Sequence, residues 1–173
     1  MPAPRLNIGL IGAEDFGLSE RLAKVGHVVT PNVPWDGIGA YECVLLALAE
    51  DDLHDAIPRL VPHASPRQIF FHTCLAEGVD VLTELQAVSI ALHPQGQLCV
   101  VGSEDELSET IAVMLVHEMD LEPVTVPEAE RKELIDALAA IDRTRAQQRS
   151  ILASMRSGGA ARLVQQAIQN PLV

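Results

Sequence analysis

Basic and aromatic residues are scarce in this sequence. Lys and Arg number 12 against 24 Asp and Glu, for a net charge of −12, and there are only three Phe, one Tyr and one Trp. Nucleic-acid binding needs a basic surface that neutralises phosphates, and often aromatic rings that stack on bases. The composition therefore argues against nucleic acid as a partner. An anionic cofactor would have to be held by local N–H groups and a few positive side chains.

Cysteines are few, and long apolar runs are absent. Cys43, Cys74 and Cys99 are widely spaced and form no C-x-x-C pair. This usage is typical of a reducing compartment and excludes a disulfide scaffold. No segment approaches the roughly 18 uninterrupted apolar residues of a membrane helix. The first residues also lack the basic start and apolar run of a secretory signal. We therefore expect a cytoplasmic protein with no membrane partner.

The sequence does contain short apolar runs that alternate with amphipathic segments. The runs predict strands over residues 6–11, 27–30, 43–49, 68–72, 89–92, 98–101 and 124–126. Helical spacing predicts helices over residues 17–25, 50–60, 79–87 and 104–119. Residues 31–40 hold two prolines and two glycines and predict no regular structure. This order favours an α/β domain with a doubly wound, mostly parallel sheet covered by helices on both faces.

The composition of the sequence changes after Pro127. Residues 128–155 contain no glycine or proline and carry an apolar stripe, which predicts one long helix. Gly158 and Gly159 interrupt the pattern, and a short helix is expected over residues 160–169. Such a pair of helices cannot bury its apolar faces alone. We predict a dinucleotide-binding-type domain over residues 1–127 and a short C-terminal helical arm over 128–173, with a homodimer formed through residues 128–170.

The first strand leads into a modified dinucleotide-binding motif. The run from Gly12 to Gly17 resembles the fingerprint G-x-G-x-x-G. In the intact motif the middle glycine lets the backbone approach a pyrophosphate, but here Glu14 replaces that glycine. Two unit charges about 4 Å apart repel by roughly 1 kcal/mol in water and about 4 near a protein surface, so cofactor binding would weaken about tenfold to a thousandfold. Glu14 and Asp15 also stand where acids stabilise a helix start, so the chain could fill its own anion site with carboxylate. The predicted cofactor loop is Gly12, Ala13, Glu14, Asp15, Phe16 and Gly17.

Two further motifs follow this loop, each at the end of a predicted strand. Phe71-His72-Thr73 and later Leu92-His93-Pro94 each close a predicted strand. Over about residues 6–150 the chain resembles the Rossmann-like 6-phosphogluconate-dehydrogenase-type NAD(P)-binding family. It is most similar to an uncharacterised branch with His-Thr-Ser-Gly and His-Pro motifs, whose relatives include ketopantoate and pyrroline-carboxylate reductases. The resemblance implies NADP or NAD as cofactor and a small keto acid or imine as substrate.

The chain departs from this family at several points. Cys74-Leu75 replaces Ser-Gly, and no acidic or basic selector for the ribose follows the second predicted strand. The family's C-terminal helical domain is also much shorter here. These departures indicate a diverged oxidoreductase-like protein with a weakened or lost cofactor site. The alternative is a non-catalytic homodimeric scaffold or small-ligand-binding domain on the same fold.

The predicted catalytic residues are His72 and His93, at strand ends where doubly wound folds place their ligand crevice. His93 could polarise a carbonyl or carry a proton, and His72 with Thr73 could line the nicotinamide side. The alternative is that both histidines bond to nearby backbone. Cys74 could be a nucleophile activated by His72, or an inert buried thiol. The other histidines lie on different elements without an i, i+4 pairing or a cysteine cluster, so no metal site is expected.

Overall fold

A seven-stranded sheet organises the chain in a computed structural model, which describes residues 5–169. The strands are β1 Asn7–Gly12, β2 Val28–Thr30, β3 Cys43–Ala47, β4 Ile69–His72, β5 Val88–Gln95, β6 Leu98–Ser103 and β7 Glu122–Val124. Their spatial order is β2-β1-β3-β4-β5-β6-β7. Neighbouring strands are parallel except β5 and β6, which form an antiparallel hairpin. The predicted doubly wound, mostly parallel α/β sheet is therefore confirmed.

Residues 5–169 also contain five α-helices and three 3-10 helices. The α-helices are α1 Leu18–Lys24, α2 Glu50–Leu60, α3 Glu106–Glu118, α4 Glu128–Ser154 and α5 Gly158–Gln169. The 3-10 helices are Trp35–Ala40, Val61–His63 and Val79–Leu85. None of the helices described by the structure is long and apolar enough to cross a membrane.

Strand β5 is longer than the predicted strand over residues 89–92, so His93 lies within it and not at its end. Three further elements differ in type or position. Trp35–Ala40 lies in the segment expected to be irregular, yet it forms a 3-10 helix that buries Ile38 between proline and glycine residues. Val79–Leu85 is a 3-10 helix instead of an α-helix, and its buried Leu82 and Leu85 have the i, i+3 spacing that aligns side chains in that geometry. The last strand is Glu122–Val124, earlier than residues 124–126. Its Pro123 is tolerated because β7 lies at the edge of the sheet.

Both faces of the sheet carry apolar layers. Strand β3 is buried at every position, as the continuous apolar run predicts. On one face, alternate strand residues such as Leu45 and Phe71 pack in a cluster with residues of α1 and α3. On the other face, Leu46 and Phe70 pack in a second cluster with residues of α2 and of two 3-10 helices. The sheet is therefore wrapped on both sides.

The order in which strands are added to the sheet reverses at β1. Strand β1 has β2 as its neighbour on one side and β3 on the other, so successive connections leave it in opposite directions. In doubly wound folds this reversal opens a crevice beyond the carboxyl ends of the strands. The loops after β1 and β3 therefore border the position where a ligand would be expected.

Two compact units divide the chain, with the boundary between Ala129 and Glu130. The first unit holds the sheet. Most of α4 and all of α5 belong to the second unit, and no residue of either helix is buried. Ile141, Ile151 and Leu163 are 47%, 45% and 75% exposed. The apolar stripes of both helices thus remain open to solvent in the single chain.

Candidate functional site

Hydrogen bonds connect the segments that follow β1 and β4 with His93 of β5. The Thr73 hydroxyl, just after β4, donates to the backbone carbonyl of Glu14 at 2.6 Å. The Nδ1–H of His93 on β5 donates to the carbonyl of Thr73 at 2.8 Å. Thr73 and His93 are both buried. The fold thus brings the predicted cofactor loop, Thr73 and His93 into one hydrogen-bonded chain.

Gly12, the first glycine of the fingerprint, stands where the backbone of β1 meets that of β3. Its φ is +89°, and a Cβ added there would lie 2.1 Å from the carbonyl oxygen of Ala47. The same carbonyl accepts a hydrogen bond of 2.9 Å from the N–H of Glu14. Only glycine fits this combination of positive φ and close approach. The backbone N–H of Glu14 is therefore bonded within the chain.

The start of α1 is occupied by the side chain of Asp15. One carboxylate oxygen accepts from the N–H of Gly17 at 3.2 Å. The other accepts from the N–H of Ser19 at 3.0 Å and also from the Ser19 hydroxyl. The carbonyl of Asp15 accepts from the N–H of Leu18 at 2.9 Å. In the fingerprint, N–H groups at this helix start face a pyrophosphate. Here three successive N–H groups bond to Asp15.

His93 lies under the ring of Phe16. The two ring centroids are 4.7 Å apart at an interplanar angle of 59°, and Phe16 has a φ of +52°. Burial lowers the pKa of His93 below 6.5, although the hydrogen bond to Thr73 raises it in part. Because a carbonyl can only accept, Nδ1 carries the proton, and Nε2 is the unprotonated nitrogen of the neutral ring. His93 at neutral pH is thus a proton acceptor and not an acid.

His72, the second histidine, serves a different loop. It is fully buried at the end of β4, and its Nε2 lies 3.0 Å from the carbonyl oxygen of Gly78. This bond fastens the segment after β4 back onto the strand. The structure therefore gives His72 and His93 separate backbone partners, Gly78 and Thr73.

The surroundings of Cys74 favour the protonated thiol over the thiolate. Burial is the largest cause that raises its pKa above 9.0, and the charges of Glu77 and Glu50 raise it further. Backbone N–H groups of Ala76 and Glu77 oppose this only in part. A nucleophilic cysteine needs a lowered pKa. The environment of Cys74 therefore favours the inert interpretation.

A groove that the sequence analysis missed lies near the end of β3. Its volume is about 280 Å³, and it is lined by Trp35, Leu48, Asp52, Asp55, Ala56 and Arg59. The Arg59 guanidinium carbon is 5.8 Å from the centroid of the Trp35 ring. The signal available in the sequence was the single tryptophan in a segment rich in proline and glycine. The groove gives this edge of the sheet one aromatic surface.

No protein-family model matches this chain, and no curated protein matches it either.

Its fold, in contrast, matches solved structures of reductases and dehydrogenases. Pyrroline carboxylate reductase from Plasmodium falciparum, with NADP bound, has a TM-score of 0.67 at 11% identity, over 98% of this chain and 77% of that chain. For 3-hydroxyisobutyrate dehydrogenase from Mycobacterium tuberculosis the TM-score is 0.63 at 14% identity, over 87% and 64%. For (S)-3-hydroxybutyryl-CoA dehydrogenase from Ralstonia eutropha it is 0.58 at 14%, over 69% and 62%. At such identities the likeness shows the fold alone, and the chain has the Rossmann-like fold of NAD(P)-dependent oxidoreductases.

Proposed function

We propose that this protein is a diverged NAD(P)-dependent oxidoreductase-like protein, related to the 6-phosphogluconate-dehydrogenase-type branch, whose cofactor site is weakened or lost. One observation carries the proposal. The carboxylate of Asp15 bonds to the N–H groups of Gly17 and Ser19, at the helix start where the fingerprint receives a pyrophosphate. In this arrangement the residues present do not fit a bound dinucleotide.

Two effects oppose a pyrophosphate at this loop. A phosphate oxygen would have to displace the Asp15 carboxylate from its hydrogen bonds, and hydrogen bonds of a charged group contribute about 1.5–3 kcal/mol each. The exposed side chain of Glu14 adds a like charge where the fingerprint has no side chain. A repulsion of roughly 1 to 4 kcal/mol corresponds to about a tenfold to thousandfold loss of affinity. Weak or absent cofactor binding follows from both effects.

The surviving chemistry of the site is proton handling at His93. Its neutral Nε2 is suited to accept a proton from a small hydroxy acid or amine, the reduced counterparts of the keto acid or imine substrates proposed for this branch. Burial lowers the pKa of the ring and so favours its neutral form, and Phe16 contacts the ring. His72 and Thr73 support the site by holding backbone, since their polar atoms bond to Gly78 and Glu14. The three free cysteines suit a cytoplasmic location.

Cofactor titration tests this proposal directly. NADPH or NADH is added to native protein, to Glu14→Gly and to Asp15→Asn, with Asp120→Asn as a matched loss of charge away from the site. Trp35, the single tryptophan, borders the sheet edge and serves as the fluorescence donor. We expect weak or no binding by native protein and by Asp120→Asn. Binding should strengthen about tenfold or more in Glu14→Gly.

Two results would contradict the proposal in different ways. Tight, micromolar binding by the native chain would establish a working cofactor site and reject the claim that Glu14 and Asp15 close it. Binding by none of the variants would reject descent from a cofactor site that still has its shape, and would favour the alternative function.

The alternative is a non-catalytic homodimeric scaffold, and the second unit favours it. Helices α4 and α5 have 27 and 12 residues, and none of these residues is buried in the single chain. Helices obtain most of their stability from packing of an apolar face. A second copy packed on residues 128–169 would cover these faces. Light scattering should then show a dimer that Leu163→Asp dissociates and that Gln166→Asp, an exposed polar position on the same helix, leaves intact. A monomeric native protein would reject the scaffold.

A further inference from the structure

Glu50, His54 and Glu77 form a cluster of donor atoms beyond the carboxyl ends of β3 and β4. Each contributes one nitrogen or oxygen atom, and these three atoms all lie within 4.8 Å of one another. Nε2 of His54 is 2.8 Å from Oε1 of Glu77. Glu50 and His54 are one helical turn apart at the start of α2, whereas Glu77 follows β4. Two separate segments of the chain therefore converge on one point.

We propose that Glu50, His54 and Glu77 bind a divalent transition-metal ion of the zinc type. Imidazole nitrogen and carboxylate oxygen bind Zn²⁺ at about 2.0–2.2 Å, so two ligands around a tetrahedral ion lie roughly 3.4 Å apart. The observed separations, 2.8 Å between His54 and Glu77 and within 4.8 Å for the other pairs, lie on either side of this spacing. One histidine and two carboxylates also suit manganese and iron, and the three ligands leave a position for water.

The charges around the cluster favour a cation. The pKa of His54 is raised first by its hydrogen bond to Glu77 and then by the charge of Glu77, with smaller contributions from Glu50 and Asp51. The charged groups that raise the pKa of His54 are thus acidic. The field that favours a proton on the imidazole also attracts a dication, which would replace that proton on Nε2.

The position of Glu77 joins this cluster to the site described above. The next residue, Gly78, accepts the hydrogen bond of the buried His72. An ion held by Glu77 and α2 would therefore fix the segment after β4 from its outer side, while His72 fixes it from within. A simple ion pair explains the contact of His54 with Glu77. Glu50 adds a third donor atom from the acidic first turn of α2, one turn before His54.

Metal titration of the untagged full-length protein tests the proposal. After dialysis against a chelator, Zn²⁺ and Co²⁺ are titrated into native protein, His54→Ala, Glu77→Gln and His63→Ala while heat and the Co²⁺ absorption spectrum are recorded. His63 is an exposed histidine of the 3-10 helix that follows α2 and serves as the matched control. We expect one ion per chain and an affinity about tenfold or more lower in His54→Ala and Glu77→Gln, since even indirect partners of ligands have effects of this size. His63→Ala should bind like the native protein.

Thermal unfolding gives an independent readout. An ion that binds only the folded state raises the melting temperature. Zn²⁺ should raise it for native protein and for His63→Ala but not for His54→Ala, and the melting curve of each variant in chelator verifies that it is folded. The proposal fails if the native protein shows no saturable binding, or if His54→Ala binds as tightly as native. Native-like binding by Glu77→Gln would overturn the three-ligand assignment.

Discussion

The two outer glycines of the fingerprint provide a test of why this motif persists. Gly12 and Gly17 have φ values of +89° and +79°, so an alanine at either position meets the same left-handed backbone. A Cβ at Gly12 would be 2.1 Å from the Ala47 carbonyl oxygen, whereas a Cβ at Gly17 meets no atom within 4 Å. The pair therefore separates the cost of conformation from the cost of a clash.

The expected magnitudes follow from these two environments. An L-residue in the left-handed region costs about 1–2 kcal/mol. Gly17→Ala should lower the free energy of unfolding by this amount. Gly12→Ala should lower the free energy of unfolding by the same amount and by about 1–3 kcal/mol more, because β1 and β3 must separate to admit the methyl group. A total of about 2–5 kcal/mol is large beside a typical stability of about 5–15 kcal/mol.

Urea unfolding followed by Trp35 fluorescence measures the difference, since the tryptophan reports on the unit that contains the sheet. Gly12→Ala should have a lower midpoint than Gly17→Ala, with both below native protein. Equal midpoints for the two variants would refute the close approach of β1 to Ala47. Equal midpoints would also show that packing against Ala47 is not the reason why position 12 is a glycine.

Three further predictions concern His93, Phe16 and the cysteines. Burial lowers the pKa of His93, so NMR should find it titrating below 6.5 in the folded protein. The unfolded chain then binds the proton more readily than the folded chain does. The stability that His93 contributes is therefore present above pH 6.5 and is lost as the pH falls from there toward the folded-state pKa. Replacement of Phe16 by Ala opens the ring to water, so the pKa of His93 should move up toward 6.5, and an unchanged value would show that Phe16 does not shield it. Burial raises the pKa of Cys43 and of Cys99 to about 12, so a thiol reagent should modify Cys74 first in the folded protein, and rapid modification of all three would contradict the packing of β3 and β6.

The strands were predictable because their apolar runs have a direct physical meaning. The run that begins at Cys43 is apolar on both faces, and only a strand covered on both sides explains such a pattern. Val79–Leu85 was harder, because a short segment with apolar residues three apart suits an α-helix and a 3-10 helix alike. The left-handed Gln86, at φ +51°, ends that segment, and nothing in the residue type announces it.

Site residues were predictable only as far as their side chains signal chemistry. The loop from Gly12 to Gly17 stood out by its spacing, and the strand-end position marked His93. The Ala47 carbonyl accepts from the N–H of Glu14, and the Thr73 carbonyl accepts from His93; no residue type encodes such backbone partners. The cluster around His54 was missed for another reason. Glu50 stands one helical turn before His54, and the spacing of histidines and cysteines alone does not reveal such a pair.

The two acidic residues of the loop have different effects, and this distinction matters for the history of the site. Asp15 bonds to the helix start, so its removal alone would leave N–H groups that a phosphate could use. Glu14 bonds through its backbone to Ala47 and Thr73 while its side chain is exposed. A glycine at position 14 would keep those backbone bonds and remove only the charge and bulk. If Glu14→Gly restores affinity and Asp15→Asn does not, electrostatic exclusion closed the site; the reverse result would show that an internal carboxylate replaced the phosphate.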